Sequence, residues 1–440
     1  MSALEAALPE ALRTVVSPRV GIVTALEECL VDVDEPPLVR VTCELADGVE
    51  TIGVDLGDAR NVGGSGMSRR HAVGAAVGEA VERYSASYVP PERLVEATAT
   101  ELGPAAADPS SFALFHTSQH SSAGFPYVPF TAETRVRWIE GVDLETGEPA
   151  WLPAELVFLA DTRPATGGRI GYATSSGLAC APTYGQALER GLLELLERDA
   201  FMVAWWRRLS PPRLDWEANP WMAAADERYF RRARLEYFAL DLSSVHDLPI
   251  VVGVVRGGPG SGAALGVGAA ANTRIEDAWW RALAEAFASR TACRKLRLLE
   301  PERRYEIDGS DVLGFNDHIR FYGDDERADL ASFLWTSRET RTAADVPPLR
   351  AEADTLCDEL VARARRAGSR AFAVDVTAPD IASVGLRVVR AVAPGLCWLD
   401  AEHRCRFLGA GRLLNPSEKD ILTSRVLRID DLNPLPHPFP

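Results

Sequence analysis

One small charged pattern occurs twice in this sequence. In "GEAVERYS", Glu79, Glu82 and Arg83 stand at i, i+3 and i+4, and in "LELLERDAF", Glu194, Glu197 and Arg198 repeat that spacing. On an α-helix these offsets bring all three side chains onto one face. A solvent-facing helix would use such a trio as an ordinary acid–base set, stabilising it by about 0.2–0.5 kcal/mol per pair. The second copy resists that reading. Leu192, Leu193, Leu195 and Leu196 surround it and Phe201 to Trp206 follow, so the helix is apolar nearly all round and must be largely buried. A buried carboxylate needs a cation beside it or takes up a proton. A third helical stretch, "RALAEAFASR", adds Glu285. Several glutamates with arginines alongside suit Mg²⁺ bridged to phosphate, with carboxylates on the metal and arginines on the remaining oxygens. The residues alone therefore suggest a nucleotide site built from helix faces. The Gly-rich run from Gly257 to Gly262 is not a phosphate loop, since no Gly-Lys-Ser/Thr follows and no helix opens there; it reads as a hairpin turn.

Elements must hold those faces. "LVRVTCELADGVETIGVDLG" alternates apolar residues on both sides of Asp47-Gly48, a hairpin signal. "RHAVGAAVGEAVERYSASYV" switches to helical spacing, with Val73, Val77, Val81 and Tyr84 on one face. "VRWIEGVDLETGEPAWLPA" is a second hairpin turning at Thr146-Gly147, and "LPIVVGVVRGGPGSGAALGVGAA" gives two strands around the Gly-rich turn. "GQALERGLLELLERDAFMVAWW" and "TRIEDAWWRALAEAFASRTACRKLRL" are long helices, with Trp205, Trp206, Trp279 and Trp280 expected in core or interface packing. "SRAFAVDVT" and "LRVVRAVAPGL" are late strands around a loop that Asp375 and Asp380 are expected to shape. The polar stretch "YGDDERADLASF" reads as a surface insertion. Strands and helices mix without a strict alternation, which predicts an α+β fold. No linker divides the chain, so one large domain of mixed sheets packed with helices is expected over 56–440, with 1–55 a strand-rich segment packed on it.

The gross numbers exclude several classes. With 440 residues, 47% hydrophobic and 25% charged, the chain is globular and able to bury a core. A net charge of −16 argues against a general nucleic-acid binder. The start, "MSALEAALPEALRTVV", has no basic segment ahead of its apolar residues and is not a signal peptide, and no apolar run reaches membrane-spanning length. The seven cysteines are scattered without a C-x-x-C pair, so they read as reduced core residues of a cytoplasmic protein.

The chain resembles the YcaO-domain family, in its azoline-forming cyclodehydratase branch. "GEAVERYSA", "SSGLACAPTYGQALERGLLELLERDAF", "RALAEAFASR", "DVTAPDIASVGLRVVRAVAPGL" and the closing "LNPLPHPFP" carry the resemblance, from about Gly63 onward. It implies that Glu79, Glu82, Glu194, Glu197 and Glu285 bind Mg²⁺ and ATP, with Arg83 and Arg198 on the nucleotide. It implies a reaction in which a Cys, Ser or Thr of a ribosomal precursor peptide attacks the preceding amide. ATP then phosphorylates the resulting oxygen, and loss of phosphate leaves a thiazoline or oxazoline. By resemblance, a separate leader-binding or E1-like partner delivers the precursor, a homodimer is expected, and a flavin-dependent dehydrogenase acts afterwards on the azolines. Neither nucleic acid nor membrane is an expected partner.

The last seven residues, "PLPHPFP", put proline at 434, 436, 438 and 440. Composition alone would make this a disordered tail. Polyproline II geometry is extended at about 3.1 Å per residue, so seven residues reach roughly 20 Å. The resemblance gives Pro436, Pro438 and Pro440 the role of carrying a terminal carboxylate into the active site. Three positions depart from the family. Ser65 stands where a lysine is common, Ala75 where a serine is usual, and Ala288 where a glutamine is usual. Each removes a polar partner worth about 1–3 kcal/mol, and Arg69 or Arg70 is a candidate substitute for the lysine. These departures motivate a rival reading, a weak or inactive relative serving as a peptide-binding scaffold. Thioamide or amidine formation is a further rival that the Pro-rich end disfavours. His403 and His437 are candidates for substrate contact or proton transfer, although a lone histidine is more often structural, and Asp199 is a candidate to orient Arg198.

Overall fold

The computed structural model describes residues 3–46, 60–164, 167–231, 235–352, 355–415 and 425–440. The helix expected around the first charged motif runs Arg69–Ser87 (α1). Ser68 starts it, its backbone extended and its hydroxyl accepting the His71 N–H, one of the donors that a helix start leaves open. Val73, Val77, Val81 and Tyr84 share one face and all four are buried. Tyr88 returns to extended backbone, and Pro90-Pro91 cannot continue a helix.

By its internal contacts the chain divides into two compact units, each assembled from separated stretches. The first takes Met1–Val31, Leu38–Leu195 and Glu352–Leu396; the second takes Asp32–Pro37, Leu196–Ala351 and Cys397–Pro440. One of the passages between the units lies inside a helix, so composition does not mark it. The helix bearing the second charged motif, Tyr184–Trp206 (α2), makes the passage between Leu195 and Leu196. Residue 55, the expected end of the N-terminal segment, and the expected turn at Asp47-Gly48 lie outside the described residues.

The first unit contains two sheets. One is the antiparallel set β1 (Val23–Glu28), β2 (Val39–Leu45) and β3 (Asn61–Gly66). The other uses β4 (Leu94–Ala97), β5 (Val136–Asp143), β6 (Pro149–Pro153), β7 (Leu178–Ala181), β13 (Phe372–Asp375) and β14 (Arg387–Val392). Its order is β4-β5-β13-β14-β7, with β6 paired to β5. The β5–β6 hairpin is the one expected at Thr146-Gly147, and Gly147 supplies the positive φ of 74° that its turn needs. Asp375 and Asp380 serve their own loop, accepting the Thr377 and Ile381 N–H groups, while Tyr84 donates its hydroxyl to Asp380 at 2.9 Å.

The second unit holds one five-stranded sheet of order β11-β10-β9-β8-β12, with β8 at Arg213–Asp215, β9 at Glu236–Asp241, β10 at Ile250–Arg256, β11 at Leu265–Ala271 and β12 at Thr340–Thr342. The β10–β11 hairpin closes through the Gly-rich run, as its sequence predicts. Every residue of β11 is buried, and Ile275–Leu299 (α3) packs on this hairpin. Trp279 and Trp280 join Phe230 and Phe287 in an aromatic core, where Phe230 and Phe287 stack at 5.5 Å. The short stretch 32–37 belongs to this unit through ions: Arg290 pairs with Glu35, and Arg294 with Asp34 at 3.1 Å. The sequence expected a surface insertion over "YGDDERADLASF"; instead Tyr322 at its start is fully buried, and only the short helix Asp325–Leu330 is mainly solvated.

None of the seven cysteines, all among the described residues, forms a disulfide, and burial pushes the thiols of Cys43 and Cys180 up to about 12. Among the described residues no helix is long and apolar enough to cross a membrane.

Candidate active site

In the first unit, β7 is the last strand of its sheet, so its outward N–H and C=O groups lack a strand partner. Side chains take them. Cys180 donates its N–H to Glu82 Oε1 at 2.7 Å, and its carbonyl accepts from Arg190 at 2.7 Å. Just before the strand, the Gly177 N–H is donated to Glu194 Oε2 at 3.1 Å. Buried Arg390 fixes that loop by donating to Ser176 O at 2.6 Å and Thr174 O at 2.7 Å. Burial pushes the carboxyl of Glu82 up to about 8. The Cys180 N–H opposes the shift, Glu194 and Glu79 add to it as like charges, and Arg190 opposes it. Glu79 forms an i,i+4 ion pair with Arg83 at 2.7 Å.

The second unit repeats the device. Its last strand, β11, donates the Ala269 N–H to Glu285 Oε2 and the Ala271 N–H to Glu197 Oε2, both at 2.9 Å. Two residues apart on a strand, these donors point the same way. Helix α3 comes close enough for this because Gly268 has no side chain; a Cβ there would meet Ala286 N and Glu285 Cβ at 2.6 Å. Arg198 pairs with Glu197 Oε1 at 3.2 Å. Asp199 does not serve Arg198 in the way the sequence suggested. Its carboxylate accepts from His246 at 2.7 Å, Arg412 at 2.6 Å and the Cys397 N–H at 2.7 Å. Burial alone would raise its pKa, but Arg412, His246 and Cys397 outweigh that and hold it at about 2.

The Pro-rich end belongs to the second unit and is buried there. Pro436, His437, Pro438 and Phe439 are buried, and Pro440 is half-buried. Asn433 anchors it, donating its N–H to Trp206 O at 2.8 Å. Phe439 lies against Phe201 at 4.9 Å, with the guanidinium of Arg198 over its ring at 4.1 Å. His403 and His437, candidates for proton transfer from sequence, hold backbone. His403 donates Nε2–H to Pro434 O at 2.9 Å, and His437 donates Nε2–H to Asp400 O at 2.7 Å. Burial pushes His403 down to about 3, with Arg406 adding to the shift, and holds His437 well below its usual value.

His318, Asp400 and His437 are close enough to propose a metal centre, with one ligand atom from each within 4.8 Å of the others. The geometry argues against it. The two rings stack at 3.9 Å, only 11° from parallel, so their nitrogen lone pairs lie in separate planes. His318 sits between His437 O at 2.8 Å and Ala401 O at 2.9 Å, and His437 Nδ1 accepts the Phe439 N–H. A neutral His318 donates to one of those carbonyls, and an imidazolium to both. Burial lowers its pKa to about 4, the two carbonyls opposing.

The expected residues thus fall into two sets. Glu79, Glu82, Arg83 and Glu194 gather in the first unit, and Glu197, Arg198, Glu285 and the tail in the second. Arg69, a candidate for the absent lysine, is engaged by Glu28 at 2.7 Å. Sequence reasoning missed Arg190 and Arg390, which fix the β7 edge, and Trp205, Tyr322 and His318, which meet the tail. Tyr322 was hidden by its polar neighbours, and Trp205 passed as plain core.

Residues 63–397, most of the chain, match the model of a family described as YcaO cyclodehydratase, ATP- and Mg²⁺-binding. Among solved structures the chain is similar to a heterocyclase in complex with substrate and cofactor, at 24% identity and a TM-score of 0.78, covering 100% of this chain and 57% of that one. It is similar to the heterocyclase TruD at 23% identity and a TM-score of 0.65, covering 94% and 56%. A YcaO protein from Methanopyrus kandleri, bound with AMPPCP and Mg²⁺, is 22% identical with a TM-score of 0.60, covering 85% of this chain and 86% of its own. The chain therefore spans little more than half the length of the two heterocyclases. No curated protein matches it.

Proposed function

The chain belongs to the YcaO cyclodehydratase family, and from that premise we propose that it is an ATP- and Mg²⁺-dependent peptide cyclodehydratase that makes azoline rings. The donor set fits the metal. Oxygen ligands suit Mg²⁺, and the crowding of Glu79, Glu82 and Glu194 that helps raise Glu82 to about 8 is an excess of negative charge that a divalent cation relieves. Glu79, Glu82 and Glu194 of the first unit and Glu197 and Glu285 of the second are the ligands we assign, and Arg83 and Arg198 the nucleotide partners. When bound, the metal would neutralise phosphate oxygens and so ease transfer to the peptide oxygen. The edge N–H groups of Cys180, Gly177, Ala269 and Ala271 each orient one carboxylate before any ligand arrives.

In the proposed reaction, a Cys, Ser or Thr side chain of the peptide closes on the preceding carbonyl carbon. The displaced oxygen leaves as phosphate, and one water is lost overall. The observation that carries the azoline reading is the burial of the tail beneath Arg198, with Phe439 under its guanidinium. Pro436, Pro438 and Pro440 are assigned to the reacting centre on that basis. Precursor delivery is assigned to a separate leader-binding or E1-like protein, a division of labour supported by the similarity to a microcin synthetase complex of E. coli, at 14% identity and a TM-score of 0.55. A homodimer and a cytoplasmic setting, which the absence of disulfides among the seven cysteines suits, complete the proposal.

The test is ring formation on a Cys/Ser/Thr-rich peptide encoded beside this chain, with ATP, Mg²⁺ and the delivering partner present, read as loss of one water per ring. The full chain is expected to form rings, and a chain truncated after Asn433 is not. Equal activity of the two would refute the role of the tail. Ala75, Ser65 and Ala288 favour a second reading, a peptide-binding scaffold with weak ATP use; peptide binding without ring formation would establish it.

A further inference from the structure

Four consecutive carbonyls of the tail are each met by a side chain of the second unit, two of them from one short helix and its C-terminal residue. His403 Nε2 lies 2.9 Å from Pro434 O, Trp205 Nε1 3.1 Å from Leu435 O, the Tyr322 hydroxyl 2.5 Å from Pro436 O, and His318 Nδ1 2.8 Å from His437 O. A carbonyl oxygen only accepts, so Trp205, Tyr322 and His403 serve the ribbon as donors, and His318 does so as its Nδ1–H tautomer. They are buried, as are the carbonyls of Pro436 and His437 that they meet.

The ribbon answers with a backbone short of donors. Proline has no N–H, and it fills positions 434, 436 and 438 between the residues that keep one. The Leu435 N–H is spent inside the tail on Asn433 Oδ1, and the Phe439 N–H on His437 Nδ1, both at 3.3 Å. In its trans peptide an N–H at position 436 would point opposite to the Leu435 carbonyl, into the side where the Pro436 ring lies against Gly309, and a buried N–H without an acceptor is costly. Gly309 closes the same side. It sits at a φ of +69°, and a Cβ there would stand 2.4 Å from the Pro436 ring.

We propose that Trp205, Tyr322, His318 and His403 form a carbonyl-reading cradle that positions the C-terminal ribbon, and that the alternation of proline is what this cradle selects. The four are positioning residues: they act on the ribbon and fix where Pro440 ends. Phe439, seated between Phe201 and Arg198, sets the depth of insertion. The catalytic consequence rests on the function proposed above; the cradle itself does not.

Hydrogen exchange in the full chain tests it without any activity. The C-terminal fragment bears the amide hydrogens of Leu435, His437 and Phe439. Tyr322→Phe removes one hydroxyl and keeps the ring, and Pro436→Ala adds one N–H. Each is expected to speed exchange of that fragment by about tenfold, the first through the loss of one hydrogen bond and the second through one buried N–H left without an acceptor. Tyr237→Phe is the control, since Tyr237 donates to Asp226 at 2.5 Å away from the tail; it should leave the fragment unchanged. Unchanged exchange in both tail variants, or equal acceleration by the control, would overturn the cradle. For the positioning role, both variants should lower kcat of ring formation and leave KM for ATP unchanged. Faster exchange with unaltered kcat would overturn that role. If the unaltered chain forms no rings while the exchange pattern appears, the proposed function fails and the cradle stands.

Discussion

The guanidinium of Arg198 lies over the ring of Phe439, 4.1 Å from its centroid. One residue belongs to the second charged motif and the other to the Pro-rich end, 241 positions later in the chain (439 − 198). The contact is a cation–π pair of about 0.5–2 kcal/mol, and it couples the orientation of the arginine to the seating of the tail. Phe439→Leu keeps an apolar side chain there but removes the π face. The expected result is an ATP affinity weakened by about two- to thirtyfold, measured by calorimetry, with only a small loss of stability because the cavity is largely filled.

Glu82→Gln separates metal binding from structure. Burial holds the Glu82 carboxyl up at about 8, so it is largely protonated at neutral pH and a neutral amide costs the fold little. The amide oxygen still accepts the Cys180 N–H. Thermal unfolding of the variant should match that of the parent chain, while Mg²⁺-dependent ATP binding disappears.

Gly268→Ala tests the close approach that seats Glu285. The added methyl would collide with backbone at Ala286 N and with Glu285 Cβ, both at 2.6 Å. Overpacking of this kind costs about 1–3 kcal/mol, visible in urea unfolding. It should also move the carboxylate off the Ala269 N–H and weaken ATP binding in Mg²⁺.

Acid should loosen the tail's surroundings. His318 is held down to about 4 and His403 to about 3, both below the usual 6.5, because burial disfavours their charged forms. The unfolded chain therefore binds more protons than the folded one below 6.5, so this stability is fully present above that pH and is lost as pH falls toward 3–4. Asp400 works the other way. Burial raises its carboxyl from 3.8 to about 7, with Arg406 opposing, so its contribution grows on acidification over that window. Glu82, held up at about 8, adds to Asp400, and His437, held low with His318 and His403, leaves three histidines against two carboxyls. Urea midpoints should fall between pH 6.5 and 4, and His403→Gln, which cannot take up that proton, should show a smaller fall.

Local patterns were readable in advance, and contacts across long sequence separations were not. The helix at Arg69–Ser87, the hairpins at Gly147 and at the Gly257–Gly262 run, and the buried second motif follow from periodicity and turn chemistry, which are local properties. The glutamates stood out because carboxylates are conspicuous on an apolar helix. Their partners did not, since an edge-strand N–H at Cys180 or Ala271 carries no side-chain signature and its partnership is fixed only when the sheet ends there. Tyr322 shows the same limit. Its polar neighbours describe the surface of the short helix after it, whereas its own hydroxyl turns inward to Pro436 O. The passage from one compact unit to the other at Leu195–Leu196 is silent for a related reason, because helix α2 runs through it without a break in composition.

The most direct test of the central claim is calorimetric titration of the full chain with ATP in Mg²⁺, with Glu194→Gln alongside. Saturable, Mg²⁺-dependent binding that is lost in the variant is the predicted result. It would show that the chain binds nucleotide through Glu194 despite Ser65, Ala75 and Ala288. No binding by the parent chain, even with the peptide-delivering partner added, would contradict the enzyme and leave a peptide scaffold in its place.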